Sequence, residues 1–161
     1  DSATNWFCFC SRLQLRELLG KAEKCERFNL LTWCKPNPVP TCNNKYLPDM
    51  EFIVHGFSSG RLFGGMEVKA NFMLYLCGNK ETAHPNEKPL PLLHKLVHLG
   101  TKEGETILDP FAGSGTTGRA AKDLGRKAIG IEIEERYCEV AVKRLAQQAM
   151  LLESPREAVA V

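Results

Sequence analysis

The 161-residue chain predicts an α/β fold: a three-layer sandwich with a mostly parallel sheet. Three observations carry that expectation. The C-terminal half alternates short apolar runs with amphipathic stretches, in the order helix, strand, glycine turn, helix, strand, helix. A glycine-rich turn, Gly113-Ser114-Gly115, joins the end of one strand to the helix that follows. Strand–helix–strand connections of this kind set consecutive strands parallel and lay the helix on the sheet.

The elements follow in order. Asn5–Cys10 (NWFCFC) is short, aromatic and bounded by polar residues, the pattern of a strand. Leu13–Leu19 places leucines at 13, 15, 18 and 19 and reads as a helix ending at Gly20. Phe28–Cys34 (FNLLTWC) is a second strand. It runs into Lys35–Pro40, where Pro36, Pro38 and Pro40 fit neither helix nor ladder. Phe52–Val54 reads as a third strand, Ser58–Gly65 as a glycine-rich loop, and Asn71–Cys77 as a strand or extended segment. Leu90–Leu99 has helical spacing, with Pro89 and Pro91 at its start, where proline is tolerated. Thr106–Asp109 is a short strand. Gly113–Leu124 is a turn and helix stopped by Gly125. Lys127–Glu132 is the next strand and Arg136–Leu152 the last helix. Residues 1–153 read as one domain and 154–161 as a tail.

Composition narrows the functional classes. With 43% hydrophobic and 25% charged residues the chain can bury a core, which argues against disorder. A net charge of +2 is no strongly basic footprint, and it neither demands nor excludes nucleic acid. The seven cysteines are odd in number, scattered, and never spaced Cys-x-x-Cys. They read as small buried thiols, which implies a reducing, cytoplasmic compartment. No apolar run approaches 18 residues, so no membrane association is expected. His94 and His98 stand four apart on a helix. With no third ligand in view they read as a solvated pair, and no metal is expected.

The segment Ile107-Leu108-Asp109-Pro110-Phe111-Ala112-Gly113-Ser114-Gly115-Thr116-Thr117-Gly118 carries the chemistry. A strand ends in an acid, and glycines let the backbone approach a ligand before a helix begins. Glu132 ends the next strand, where a carboxylate can accept ribose hydroxyls. This describes an adenosine-type cofactor site. Gly113-x-Gly115-x-x-Gly118 also fits the dinucleotide fingerprint, so NAD stays in contention. A phosphate-binding P-loop is excluded, because no Lys-Ser/Thr follows the glycines. S-adenosylmethionine suits the segment better: it has a ribose and an amino-acid end, and no pyrophosphate.

Asp109-Pro110-Phe111-Ala112-Gly113-Ser114-Gly115-Thr116-Thr117 resembles the cofactor motif of DNA amino-methyltransferases, which methylate adenine N6 or cytosine N4. His84-Pro85-Asn86-Glu87-Lys88-Pro89 resembles the family's other cofactor segment, which comes first in the permuted (beta) motif order. Gly130-Ile131-Glu132 with Tyr137 and Ala141 resembles the ribose-binding strand and its helix. Trp33-x-Lys35-x-Asn37-Pro38 with Asn44, Tyr46 and Glu51 resembles the segment after the catalytic motif. The resemblance implies a Rossmann-like methyltransferase fold, S-adenosylmethionine as cofactor and double-stranded DNA as partner, in a restriction–modification or phage setting. It implies cofactor contacts from His84, Lys88, Pro89, Asp109, Phe111, Ala112, Gly113, Ser114, Gly115, Thr116 and Glu132. Lys88 would sit near the methionine end. Lys35, Asn37, Asn44 and Arg61 supply groups suited to DNA.

The family's catalytic motif, Asp/Asn/Ser-Pro-Pro-aromatic, has no match, because no Pro-Pro pair occurs in the chain. In the family that motif follows a central strand beside the one equivalent to Thr106–Asp109. The expectation is therefore an incomplete domain with a divided sheet and two open edges. The missing segment would precede this chain or come from a second chain, and a homodimer is a further arrangement. A catalytically inactive remnant that binds cofactor or DNA is the alternative to an enzyme.

Overall fold

The computed structural model describes residues 5–23, 27–38, 47, 49–57, 72–77, 82 and 84–146. The elements are β1 (Asn5–Cys10), α1 (Arg12–Ala22), β2 (Arg27–Cys34), β3 (Met50–Phe57), β4 (Phe72–Leu74), α2 (Leu90–Gly100), β5 (Thr106–Asp109), α3 (Thr116–Asp123), β6 (Lys127–Gly130) and α4 (Glu135–Ala146).

The strands form two groups. One is a four-stranded sheet in the order β1-β3-β2-β4, the other the parallel pair β5-β6. β3 lies antiparallel between β1 and β2, and β4 joins β2 in parallel. So β1, β2 and β4 run one way and β3 runs against them. The Asn5 side chain donates to Gly100 O at 2.9 Å, which sets the end of α2 beside the start of β1. Lys88, just before α2, lies over the Phe9 ring near the end of β1. His84 on that side abuts Gly113, just past the end of β5. The segment before α2 therefore touches both the end of β1 and the turn after β5.

Alternation along the strands makes the three layers. Leu31, Trp33 and Ile53, with Phe7 and Phe9 beside them, face α2 through Leu92, Leu93, Leu96 and Val97. Leu30, Phe52 and Val54, with Trp6 and Cys10, face Leu15, Leu18, Leu19 and Ala22 of α1. Ile107 of β5 and Ala120 of α3 join the α2 side. One cluster, built around α2 and reaching α3, thus touches both groups of strands. Among the described residues, β1 and β5 each have a ladder on one side only.

Several boundaries differ from the sequence reading. α1 continues through Gly20, capped at its start by Gln14 Oε1, which accepts from the Ser11 amide at 3.0 Å. β3 is eight residues long rather than three, because it is paired along its length on both sides. Gly56 within it gives room to the Trp6 indole, which a Cβ would meet at 2.2 Å. β4 is reduced to three residues, and α4 is described to Ala146. Ser58–Gly65 lies outside the described residues.

Candidate cofactor site

The turn between β5 and α3 is built from backbone hydrogen bonds. Asp109 Oδ1 accepts from the Phe111 amide at 3.0 Å, an Asx turn that fixes the chain as it leaves the strand. Ile131 N donates to Asp109 O and Ala112 N to Ile131 O, both at 2.9 Å, so the β6 strand guides the turn. Gly113 and Gly115 have φ of 51° and 76°, the left-handed region that favours glycine. A Cβ on Gly113 would stand 3.1 Å from His84 Nε2, and one on Gly115 2.9 Å from Ala141 Cβ.

Glu132 closes the site. Its Oε2 accepts from the Gly113 amide at 2.7 Å. Its Oε1 accepts from the Ile133 and Glu134 amides at 2.8 and 2.9 Å. These bonds, led by that of Glu134, hold its carboxyl below the ordinary range despite opposing desolvation, and the charge of His84 adds to the effect. The His84 ring meets Tyr137 edge-on at 4.2 Å. Phe111 (87% exposed), Ile131 and Ile133 form an exposed apolar rim around these polar groups.

Ser114 and Thr116 are buried, with their hydroxyls turned inward. Arg144 of α4 donates to Thr116 Oγ1 at 2.9 Å and Ser114 Oγ at 3.3 Å. It also pairs with Glu87 at 3.1 Å, each side chain 3% exposed. What these two residues can offer a ligand is backbone. Arg144 and Glu87 are the members that the sequence reading missed. The available signal was Arg144 on the buried stripe of α4, three and seven positions from Ala141 and Tyr137.

Lys88 reaches a second cluster. Its Nζ lies 2.6 Å from Glu51 Oε2, and Lys35 Nζ lies 2.7 Å from Glu51 Oε1. The Trp33 ring carries both ammoniums, at 4.7 Å from Lys35 and 5.5 Å from Lys88. Burial pushes the Glu51 carboxyl up, but the two lysines outweigh it and leave it below the usual range.

Two of the residues expected to face DNA have partners within the chain. Lys35 is held by Glu51. Asn37 pairs both ends of its amide with the backbone of Cys77. Asn44 and Arg61 lie outside the described residues. His94 is bound to Asp123 at 3.0 Å, and Asp123 also takes Arg119, so this histidine serves the α2–α3 contact. The described cysteines Cys8, Cys10, Cys34, Cys77 and Cys138 are free thiols. No helix among the described residues is long and apolar enough to cross a membrane.

Comparison with known proteins places this geometry. The family described as DNA methylase matches residues 58–143. The Type II methyltransferase M2.DpnII of Streptococcus pneumoniae is 37% identical over 147 residues, covering 79% of this chain and 55% of that protein. The Type II methyltransferase M2.LlaDCHI of Lactococcus lactis subsp. cremoris is 36% identical over 151 residues, covering 81% and 56%. The chain thus spans about half the length of these curated relatives. Among solved structures, the M1.HpyAVI–SAM complex superposes with a TM-score of 0.78 at 33% identity, covering 89% of this chain and 74% of that one. The PvuII cytosine-N4-specific DNA methyltransferase has a TM-score of 0.71 at 18% identity, a likeness of fold. The chain belongs to the N6/N4 DNA methylase family.

Proposed function

We propose that this chain supplies the S-adenosylmethionine site of an enzyme that methylates the exocyclic amine of adenine (N6) or cytosine (N4) in double-stranded DNA. The observation that carries the reading is the Glu132 carboxylate, fixed by the Gly113 amide at the carboxyl ends of two parallel strands. That is where open α/β sheets bind nucleoside-type ligands. The crystal structure of M1.HpyAVI with SAM, a relative of similar fold, supports the same cofactor.

The residues fit that molecule. Gly113 has no side chain in a place where a Cβ would press on His84, so the glycine lets that histidine pack against the turn. A carboxylate has about four acceptor sites. Three amides occupy three of them, which leaves a place for a ribose hydroxyl. Asp109, Phe111 and Ala112 line the turn, and Ser114, Gly115 and Thr116 contribute backbone. Lys88 and Pro89 serve the methionine end, and His84 lies beside the glycine turn. S-adenosylmethionine supplies, when bound, an electrophilic methyl group.

The chain's own part is to bind and orient. An exocyclic base amine is a poor nucleophile, and the base must leave its stack before it can react. Transfer then depends mainly on alignment. The residues that present the amine in this family belong to a Pro-Pro-aromatic motif that these 161 residues do not contain. Residues 1–153 form the donor-binding portion of the methyltransferase domain, in a cytoplasmic restriction–modification setting.

Titration calorimetry of the chain against S-adenosylmethionine and NAD in parallel tests the reading. Saturable binding of S-adenosylmethionine alone supports it, and binding of NAD alone overturns it. A methylation assay on unmodified duplex DNA, with and without an upstream extension carrying the motif, tests the division of labour. Transfer should require the extension.

A further inference from the structure

Lys35, Glu51 and Lys88 form a cluster whose charges do not cancel: two ammoniums share one carboxylate, leaving a surplus of one positive charge. Surplus charge is costly away from water, and these side chains are mostly shielded, Lys35 at 14% exposure. Each ammonium has three N–H donors and gives one to Glu51. The aromatic faces of Trp33 and Phe9 lie beneath them. Such an arrangement suits one further anion, smaller and more deeply seated than a DNA phosphate.

The cluster is also in register with the glycine turn. His84 lies against Gly113, and Lys88 follows it by four residues, so the two positions are at most ~14 Å apart. A ligand with its ribose at Glu132 would extend along this segment toward the lysines. The far end of S-adenosylmethionine is an α-amino acid, a carboxylate beside an ammonium. Two lysines and a glutamate match that pair of charges.

We propose that Lys35 is a cofactor-binding residue: with Lys88, and held to it through Glu51, it forms a two-ammonium receptor for the cofactor's carboxylate. This rests on the S-adenosylmethionine reading above. It moves Lys35 from the DNA surface to the donor site, and it makes Glu51 the positioning residue that keeps both lysines at the carboxyl ends of β1 and β2.

The test uses the whole chain and two ligands, S-adenosylmethionine and its decarboxylated form, which keeps the adenosine and lacks only the carboxylate. The unsubstituted chain should bind the complete molecule about tenfold more tightly. Lys35→Met should remove most of that preference by weakening the complete molecule, with no loss of affinity for the decarboxylated form. Lys35→Arg should restore part of it. The proposal is overturned if Lys35→Met keeps the full preference, or weakens both ligands equally, since the latter marks a purely structural role. It is also overturned if the variant loses affinity for duplex DNA and none for the cofactor. If the unsubstituted chain binds both ligands equally, the receptor fails and the cofactor reading stands. If it binds neither, both fail together.

Discussion

Glu132 and Gly113 stand 19 positions apart in the chain, and the carboxylate of one accepts the amide hydrogen of the other at 2.7 Å. The bond ties the loop after β6 to the turn after β5, and it aims a charged acceptor at the place where the two strands end. Glu132→Gln sets an amide donor where the site needs an acceptor. Its affinity for S-adenosylmethionine should fall about tenfold or more, with the far-ultraviolet dichroism unchanged. Calorimetry on the variant checks this. Because backbone amides hold the carboxyl below its ordinary range, it stays ionised around neutral pH, and cofactor affinity should show no carboxylate titration there.

Two glycines with nearly equal backbone angles separate conformation from crowding. Gly104 has a φ of 79° and open space around it, while Gly115 has a φ of 76° and Ala141 against it. Gly104→Ala should cost about 1 kcal/mol, the left-handed penalty alone. Gly115→Ala should cost about 1–3 kcal/mol more, because overpacking adds to that penalty. Urea midpoints of the two variants give the difference. Equal losses would show that α4 yields at no cost.

The Arg144–Glu87 pair joins the last helix to the segment before α2 and is almost wholly buried. Removing one partner leaves an uncompensated charge. Arg144→Met should therefore destabilise by about 3–5 kcal/mol. Combining it with Glu87→Gln should cost clearly less than the sum of the two single changes. A double-mutant cycle from chemical unfolding measures that coupling, and strict additivity would mean that the charges do not act as a pair.

His55 predicts an acid-sensitive fold. It sits in the second half of β3, stacked on Phe7 at 4.4 Å, and burial lowers its pKa from 6.5 to about 4. Between those values the unfolded chain binds the proton and the folded chain does not. Stability should therefore fall as pH drops from about 6.5 to 4 and level off below that range, as far as this group is concerned. His55→Gln should flatten that slope. Thermal midpoints taken across the range provide the check.

The sequence revealed most where local pattern and tertiary role coincide. Asn5–Cys10 and Thr106–Asp109 begin and end where the reading put them, because each is an apolar run closed by a polar residue or proline. Gly113 and Gly115 declared the turn, since no other residue fits such backbone angles so readily. β3 was underread because His55 and Gly56 interrupt its apolar run, and only its two neighbours show why a buried histidine and a glycine belong there. Its reversed direction left no local mark. Glu51 stands in the sequence only as one member of the segment that resembles the one after the catalytic motif, yet it gathers Lys35 and Lys88 from 16 and 37 positions away. Ion pairs over such separations have no periodicity to read.

The sharing of one core cluster between both groups of strands has a consequence for how the molecule comes apart. Leu92, Leu93, Leu96 and Val97 belong to the core of the larger sheet, and Ile107 of β5 packs against the same cluster. Neither group can shed its cover without uncovering the other. Denaturation should therefore be cooperative, with the fluorescence of Trp33 and the hydrogen exchange of the β5 amides reporting one common free energy of opening. Both ends of the proposed donor site, the glycine turn and the lysine pair, should then form and vanish in a single step.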